Sequence, residues 1–336
     1  MELRIDLSRR ILVTGATGFV GSHLMRHLLE KGYLCIRGIK RGGSRMDLVR
    51  DVLDQVEWVE GDILDVPFLE EVMEGVSVVF HCAAIVSFDP RDFKRMYEIN
   101  GEGTANVVNM ALESGVEHFI YVSSTAAIGR NERESHIDED TKWETSKLNT
   151  HYAISKYLGD QEVWRGGAEG LKVAIVNPSV ILGVQFWDHG TGRMFRQVWD
   201  GLRFYTSGVT GFVDVKDVVR FMVLLMEEGI GDERFVLSAE NLGYKDVFDM
   251  IAKVLGKGAP SIQVTPLLSS LAWRVEWVRG LVTGLRPLIT KETALTSGHS
   301  YYYSSAKALR WFPEFGFRGI GEVIGEVGVA FLATIN

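Results

Sequence analysis

The run Gly15-Ala16-Thr17-Gly18-Phe19-Val20-Gly21 follows directly on Ile11-Leu12-Val13-Thr14 and leads into a helix-forming stretch, Ser22 to Glu30. Glycines at intervals of three, set between an apolar strand and a helix, constrain the fold more than any other feature of the chain. Residues without Cβ let the backbone turn tightly and approach a pyrophosphate, whose charge sits on the free N–H groups that open the helix. The spacing predicts a dinucleotide-binding strand–turn–helix in which Gly15, Thr17, Gly18, Phe19, Val20 and Gly21 surround the phosphates.

The rest of the first half repeats the alternation of strand and helix. Apolar runs predict strands at Ile11–Thr14, Leu34–Ile39, Val56–Glu60, Ser77–His81, His118–Val122 and Val173–Val176. Helical stretches lie between them at Met46–Leu53, Phe68–Glu74, Phe93–Ser114 and Thr150–Glu169. The strand runs are almost wholly apolar, as a parallel sheet covered on both faces requires. The second half loses this rhythm, with helices expected at Asp214–Glu228, Tyr244–Leu255, Leu267–Val282 and Ile320–Ala333. The fold class predicted is α/β: a doubly wound parallel sheet (Rossmann) with a smaller, mainly helical C-terminal substrate-binding region. The dinucleotide-binding domain is expected over 1–180, with 211–229 returning to it, and the cap over 181–336.

The formal charge of −8 argues against a nucleic-acid partner, which a net basic face would suit. The two cysteines, Cys35 and Cys82, fall in strand-like runs and read as buried thiols of a reducing compartment. No charged-then-apolar leader precedes the first strand, and Arg274, Glu276, Arg279 and Arg286 break up the one membrane candidate, 266–288. A cytoplasmic protein with a small-molecule substrate and no membrane partner is expected.

Tyr152-Ala153-Ile154-Ser155-Lys156 places a phenol and an ammonium four residues apart on one helical face. A phenol near its reference pKa of about 10 is a poor proton carrier at neutral pH, and a neighbouring ammonium favours the phenolate. Ser124, in Ser123-Ser124-Thr125, sits just past a predicted strand end, where a hydroxyl can bond a substrate oxygen. The eight histidines show no metal-ligand spacing, so no metal is expected.

These motifs, taken in order with Gly61-Asp62-Ile63, His81-Cys82-Ala83-Ala84, Asn100-Gly101-Glu102-Gly103-Thr104 and Asn177-Pro178-Ser179-Val180, span most of the chain. The sequence resembles the extended short-chain dehydrogenase/reductase superfamily, also called the NAD-dependent epimerase/dehydratase family, in its dihydroflavonol reductase-like branch. The resemblance implies Tyr152 as catalytic acid/base, Lys156 on the nicotinamide ribose and tuning the tyrosine, and Ser124 orienting the substrate oxygen. It implies Asp62 and Ile63 at the adenine, Ala83 and Ala84 as a bare strand end beside the cofactor, and Asn100 opening a helix at the site. Pro178 and Val180 are expected near the carboxamide, and Val122 joins the cofactor set. A homodimer built from Phe93–Ser114 and Thr150–Glu169 is implied as well.

Cofactor choice follows from charge. The second strand ends in Ile39-Lys40-Arg41-Gly42-Gly43-Ser44-Arg45, with no acid before Asp47 to bond a ribose 2′-hydroxyl. Lys40 and Arg41 suit a 2′-phosphate, so NADP(H) is favoured over NAD(H), and the resemblance implies Arg41, which matches the arginine of the reductase-like branch, as the main contact. Substrate-lining positions are expected at Val86, Ser87, Phe88, Phe186, Trp187 and Phe195, with Leu267–Val282 as an apolar lid. This set favours a small hydrophobic carbonyl or alcohol. The alternative is a sugar-nucleotide epimerase or dehydratase with tightly bound NAD.

Overall fold

A computed structural model describes residues 7–130, 134–287 and 289–335. Its strands are β1 (Ile11–Thr14), β2 (Ile36–Lys40), β3 (Glu57–Glu60), β4 (Val78–His81), β5 (His118–Val122), β6 (His136–Ile137) and β7 (Val173–Pro178). They continue as β8 (Val180–Leu182), β9 (Phe204–Tyr205), β10 (Val209–Asp214), β11 (Glu233–Leu237), β12 (Glu240–Gly243), β13 (Ile262–Gln263) and β14 (Tyr302–Tyr303). The helices are α1 (Phe19–Glu30), α2 (Val66–Val72), α3 (Phe93–Tyr97), α4 (Thr104–Glu113), α5 (His151–Ala168), α6 (Gly192–Trp199) and α7 (Val215–Glu227). They end with α8 (Tyr244–Leu255), α9 (Pro266–Thr283), α10 (Lys291–Thr296), α11 (Ala306–Trp311) and α12 (Ile320–Ile335).

Seven strands form one parallel sheet in the order β11-β7-β5-β4-β1-β2-β3. Alternate side chains enter two different cores, which is why the strands read as unbroken apolar runs. Ile11, Val13, Val78, Phe80, Ile120 and Val176 pack with α1 and α7, while Leu12, Val79, Phe119, Tyr121 and Ile175 pack with α2, α4 and α5. The strand order reverses between β1 and β4, and in sheets of this kind ligands bind at that crevice.

β11 is a strand that the sequence reading does not predict. Its charged start, Glu233-Arg234, hides the apolar triplet Phe235-Val236-Leu237 that pairs with β7. A third core joins β8, β10, α6, α8 and α12 around Phe195, Phe212, Ile251 and Phe331. This region carries its own three-stranded sheet, β12-β10-β8, in addition to its helices. Two-residue pairs, β6 with β14 and β9 with β13, tie its loops.

Three local expectations change. The predicted helix Phe93–Ser114 is divided by a π-helical turn over Glu98–Gly103, so Asn100 lies inside a widened turn and opens no helix. The predicted helix Met46–Leu53 is a 3-10 segment, Asp47–Gln55. The cysteines lie outside the strands: Cys35 is exposed ahead of β2, and Cys82 is half-buried after β4, where burial pushes its thiol up to about 12. Among the described helices none is long and apolar enough to cross a membrane, and Leu288, the last residue of the membrane candidate, lies outside the described residues.

Candidate active site

At the end of β1 the backbone turns through Gly15 in the left-handed region, φ +64°. A Cβ there would stand 2.7 Å from the Ala83 amide nitrogen, and a Cβ on Gly21 would overlap the Gly15 carbonyl oxygen. The glycines thus press β1, the end of β4 and α1 together at the crevice. Gly18 is extended and provides no side-chain cap, which leaves the first N–H groups of α1 to other acceptors. A pyrophosphate fits this cradle, because backbone alone lines it. Thr17 lies in the turn itself. Phe19 meets His23 edge-on with ring centroids 5.6 Å apart, and Val20 packs its side chain into the first core.

A buried polar chain braces the strand ends. Thr14 Oγ1 is 2.7 Å from His81 Nδ1, His81 Nε2 is 3.0 Å from Thr104 Oγ1, and the Ala83 amide donates to Thr14 Oγ1 at 3.1 Å. Burial drives His81 down to about 3, so it stays neutral and serves as a bridge. No metal-holding cluster exists among the described residues. The π-helical turn aims Asn100 at the 85 segment: its Oδ1 accepts from the Ile85 amide at 2.7 Å, and its Nδ2 donates to Ile85 O at 2.9 Å and Ser155 Oγ at 3.0 Å. Ala83 and the exposed Ala84 are held open beside the crevice as a result.

The hydroxyl pair lies next to this brace. Thr150 caps α5, accepting from the Ala153 amide at 3.1 Å, which fixes Tyr152 in the first turn. Ser124 is extended just past β5, its Oγ accepts from the Ala126 amide at 3.1 Å, and Asn177 Nδ2 fastens its carbonyl at 2.9 Å. Tyr152 lies near enough to Ser124 for that hydroxyl to favour its phenolate, and the Phe88 ring stands edge-on to Tyr152 with centroids 6.1 Å apart. Burial pushes the Tyr152 phenol up to about 12, and Ser124 opposes that rise.

Lys156 is fully buried. Its Nζ donates to the Tyr121 hydroxyl at 2.6 Å and to Val122 O at 2.9 Å. Burial lowers it to about 8, against the pull of Asp160. Desolvation dominates the Tyr152 phenol, while the Lys156 ammonium is bonded to Tyr121 and Val122 O.

The sequence reading misses the carboxylate beneath. Asp160 is wholly buried one turn beyond Lys156, accepts from the Ser123 hydroxyl, and pairs with Arg234 of β11 at 2.8 Å. Burial pushes its carboxyl up, opposed chiefly by Arg234. Tyr152, Lys156 and Asp160 recur every four residues on α5, so the acid was legible in the spacing. Its partner was not, since β11 itself went unread.

At the other end of the crevice, a cleft of about 510 Å³ is lined by Arg41, Ser44, Glu60 and Asp62, among others. Lys40 is paired with Glu60 at 2.6 Å. The Arg41 side chain makes no ion pair among the described residues. Asp62 accepts from the Leu64 amide and pairs with Arg95, both at 3.1 Å, while Ile63 points into the second core. Pro178 ends β7 and Val180 opens β8.

The substrate set divides. Val86 is exposed and Ser87 donates to Asp92 at 2.7 Å, on the same segment as Phe88. Phe186 lies under the Arg45 guanidinium, 3.7 Å from the ring centroid. Phe195 and Trp187 do not line the site: Phe195 is buried in the third core, and Trp187 packs there against Phe331, 5.1 Å between centroids. Aromatic character alone could not separate core from lining.

This sheet order, glycine cradle and hydroxyl pair define an α/β nucleotide-dependent oxidoreductase architecture. The chain belongs to the NAD dependent epimerase/dehydratase family, which it matches over residues 11–238. It is 32% identical to a putative dihydroflavonol 4-reductase of Synechocystis sp. over 91% of this chain and 90% of that protein. It is 30% identical to sterol demethylase protein B of Methylococcus capsulatus over 76% of this chain and 78% of that protein. The solved structure of gox2253, 31% identical, superimposes with a TM-score of 0.81 over 97% of this chain and 98% of that one.

Proposed function

We propose that the protein is an NADP(H)-dependent oxidoreductase acting on the carbonyl or alcohol group of an apolar substrate, with Tyr152 as the acid/base. The observation that carries this reading is the placement of Ser124 just past β5 and of Tyr152 in the first turn of α5, with the Phe88 ring against Tyr152. Gly15, Gly18 and Gly21 would hold the pyrophosphate, Lys156 the nicotinamide ribose, and Arg41 with Ser44 the 2′-phosphate. Lys40, paired with Glu60 at the end of β2, would stand beside it. The nicotinamide, when bound, supplies the hydride in reduction and receives it in oxidation.

The chain's own residues manage the proton. Burial keeps the Tyr152 phenol protonated at neutral pH, the form that gives a proton when a carbonyl is reduced. Ser124 orients the carbonyl oxygen, and Tyr152 gives that oxygen its proton as the carbon is reduced. The phenolate left behind lies one helical turn from the Lys156 ammonium, and solvent protons restore it. An apolar substrate is supported by Phe88 and by the names of the two relatives, which specify a sterol and a dihydroflavonol.

Titration of the purified protein with NADPH and NADH tests the cofactor assignment. NADPH should bind more tightly, and Arg41→Ala should weaken it by about tenfold or more through loss of a charge-assisted bond, with little effect on NADH. Tighter binding of NADH overturns the phosphate assignment. Stoichiometric co-purifying NAD with specific binding of UDP-sugars replaces the reductase reading with an epimerase.

A further inference from the structure

α9 turns the usual arrangement of a surface helix inside out. Such a helix normally buries its apolar stripe and shows water its polar one. Here the half-buried positions carry Ser269, Ser270, Ala272, Glu276, Arg279 and Gly280, with Trp273 the one large apolar ring among them. The positions toward solvent carry Leu267, Leu271, Val278 and Val282, with exposures of 82, 59, 51 and 81%. No described side chain of α9 is buried. The apolar face continues past the helix through Leu285 and Ile289 to Leu295 on α10.

Charge distinguishes this face from the rest of the molecule. Residues 261–300 contain Arg274, Arg279, Arg286 and Lys291 against Glu276 and Glu292 in a chain of −8; Arg279 is paired with Glu276, and Arg286 with Asp92 and Asp89. Arg274 and Lys291 are exposed and make no ion pair among the described residues. Trp277, 58% exposed, adds an aromatic ring suited to a membrane interface.

We propose that α9 docks on the surface of an anionic lipid bilayer, lying in its plane with the Leu271–Val278–Val282 stripe among the acyl chains. An apolar stripe flanked by Trp and Arg/Lys is the composition of an interfacial helix. Charges that bar such a segment from crossing a bilayer do not bar it from lying in one. The helix is also continuous with the site. Arg91 donates to Gly284 O at 3.0 Å, and Arg286 pairs with Asp92, which ties the end of α9 to the segment that carries Phe88 beside Tyr152. The docked helix therefore sets the substrate mouth against the apolar layer. The docking stands independently of the hydride-transfer reading.

Co-sedimentation of the full chain with unilamellar vesicles, of phosphatidylcholine alone or with added phosphatidylglycerol, tests the proposal. The protein should sediment with both and more strongly with phosphatidylglycerol, an advantage that fades as salt is raised. Leu271→Ser/Val278→Ser/Val282→Ser should lower vesicle affinity by about tenfold or more. Arg274→Glu/Lys291→Glu should remove the preference for anionic lipid. Circular dichroism and NADPH affinity, read alongside, should stay at wild-type values and so exclude unfolding. The proposal is overturned if the wild type ignores both vesicle types or the triple variant binds as the wild type does. It is equally overturned if the stripe instead holds a dimer that the triple variant splits without any vesicle binding, which assigns the face to a second copy.

Discussion

The crevice of the parallel sheet and the surface around α9 distribute polarity in opposite ways. Under the crevice, His81, Asn100, Lys156 and Asp160 are buried with every one of them bonded to a neighbour. At α9, leucines and valines stand in solvent while serine and glutamate, with Trp273, face inward. A fold selected for stability alone would invert both, since buried charge is costly and exposed apolar surface gains nothing. Departure from that rule in two joined places marks where the chain does its work: a rigid polar floor, and an apolar approach to it.

The largest expected effect lies in the floor. Asp160→Ala strands Arg234, so urea unfolding should show a loss of about 3–5 kcal/mol. Arg234→Met in the same chain should recover much of it. A loss below about 1 kcal/mol would mean the pair is not the buried anchor described.

Acid should weaken the same floor. His81 is held neutral down to about 3 in the fold but titrates near 6.5 when unfolded. Its stability contribution is full above about pH 6.5 and is lost as pH falls toward 3. Between about pH 7.5 and about pH 5 the loss is about 2 kcal/mol from His81 alone. His118, lowered by burial to about 4, acts in the same direction. Urea midpoints across this window should fall, and His81→Gln should flatten the slope. An unchanged slope in that variant would place the acid sensitivity elsewhere.

A smaller change follows from Lys156, lowered to about 8. In NADPH-driven reduction, kcat/KM should decline above about pH 8, approaching tenfold per unit, as the ammonium is lost while Tyr152 keeps its proton to about 12. A decline that persists in Lys156→Met would assign it to another group. The smallest effect belongs to α9: Leu271→Ser should alter stability by no more than about 0.5 kcal/mol. A larger loss would show that the stripe packs against the protein after all.

What could be read beforehand follows the same division. The strands of the sheet are legible because two-sided burial demands uninterrupted apolar runs, as in Val78-Val79-Phe80. The glycine spacing is legible because only backbone fits where β1, β4 and α1 converge. β11 escapes because its first two residues are charged, and with it goes Arg234, the partner that gives Asp160 its meaning. Phe195 and Trp187 mislead because the third core and a substrate pocket draw on the same aromatics. The outward direction of α9 cannot be read at all, since leucine and valine at helical spacing predict a buried face and only the packed structure shows which side is covered.

The most direct test of the account is turnover by the wild type and by Tyr152→Phe, with NADPH consumption followed across a panel of sterol, flavonoid and simple aryl ketones. The account predicts reduction of at least one apolar ketone by the wild type. In Tyr152→Phe, kcat should fall by about a hundredfold or more with NADPH binding retained. Near-normal turnover in Tyr152→Phe would contradict it.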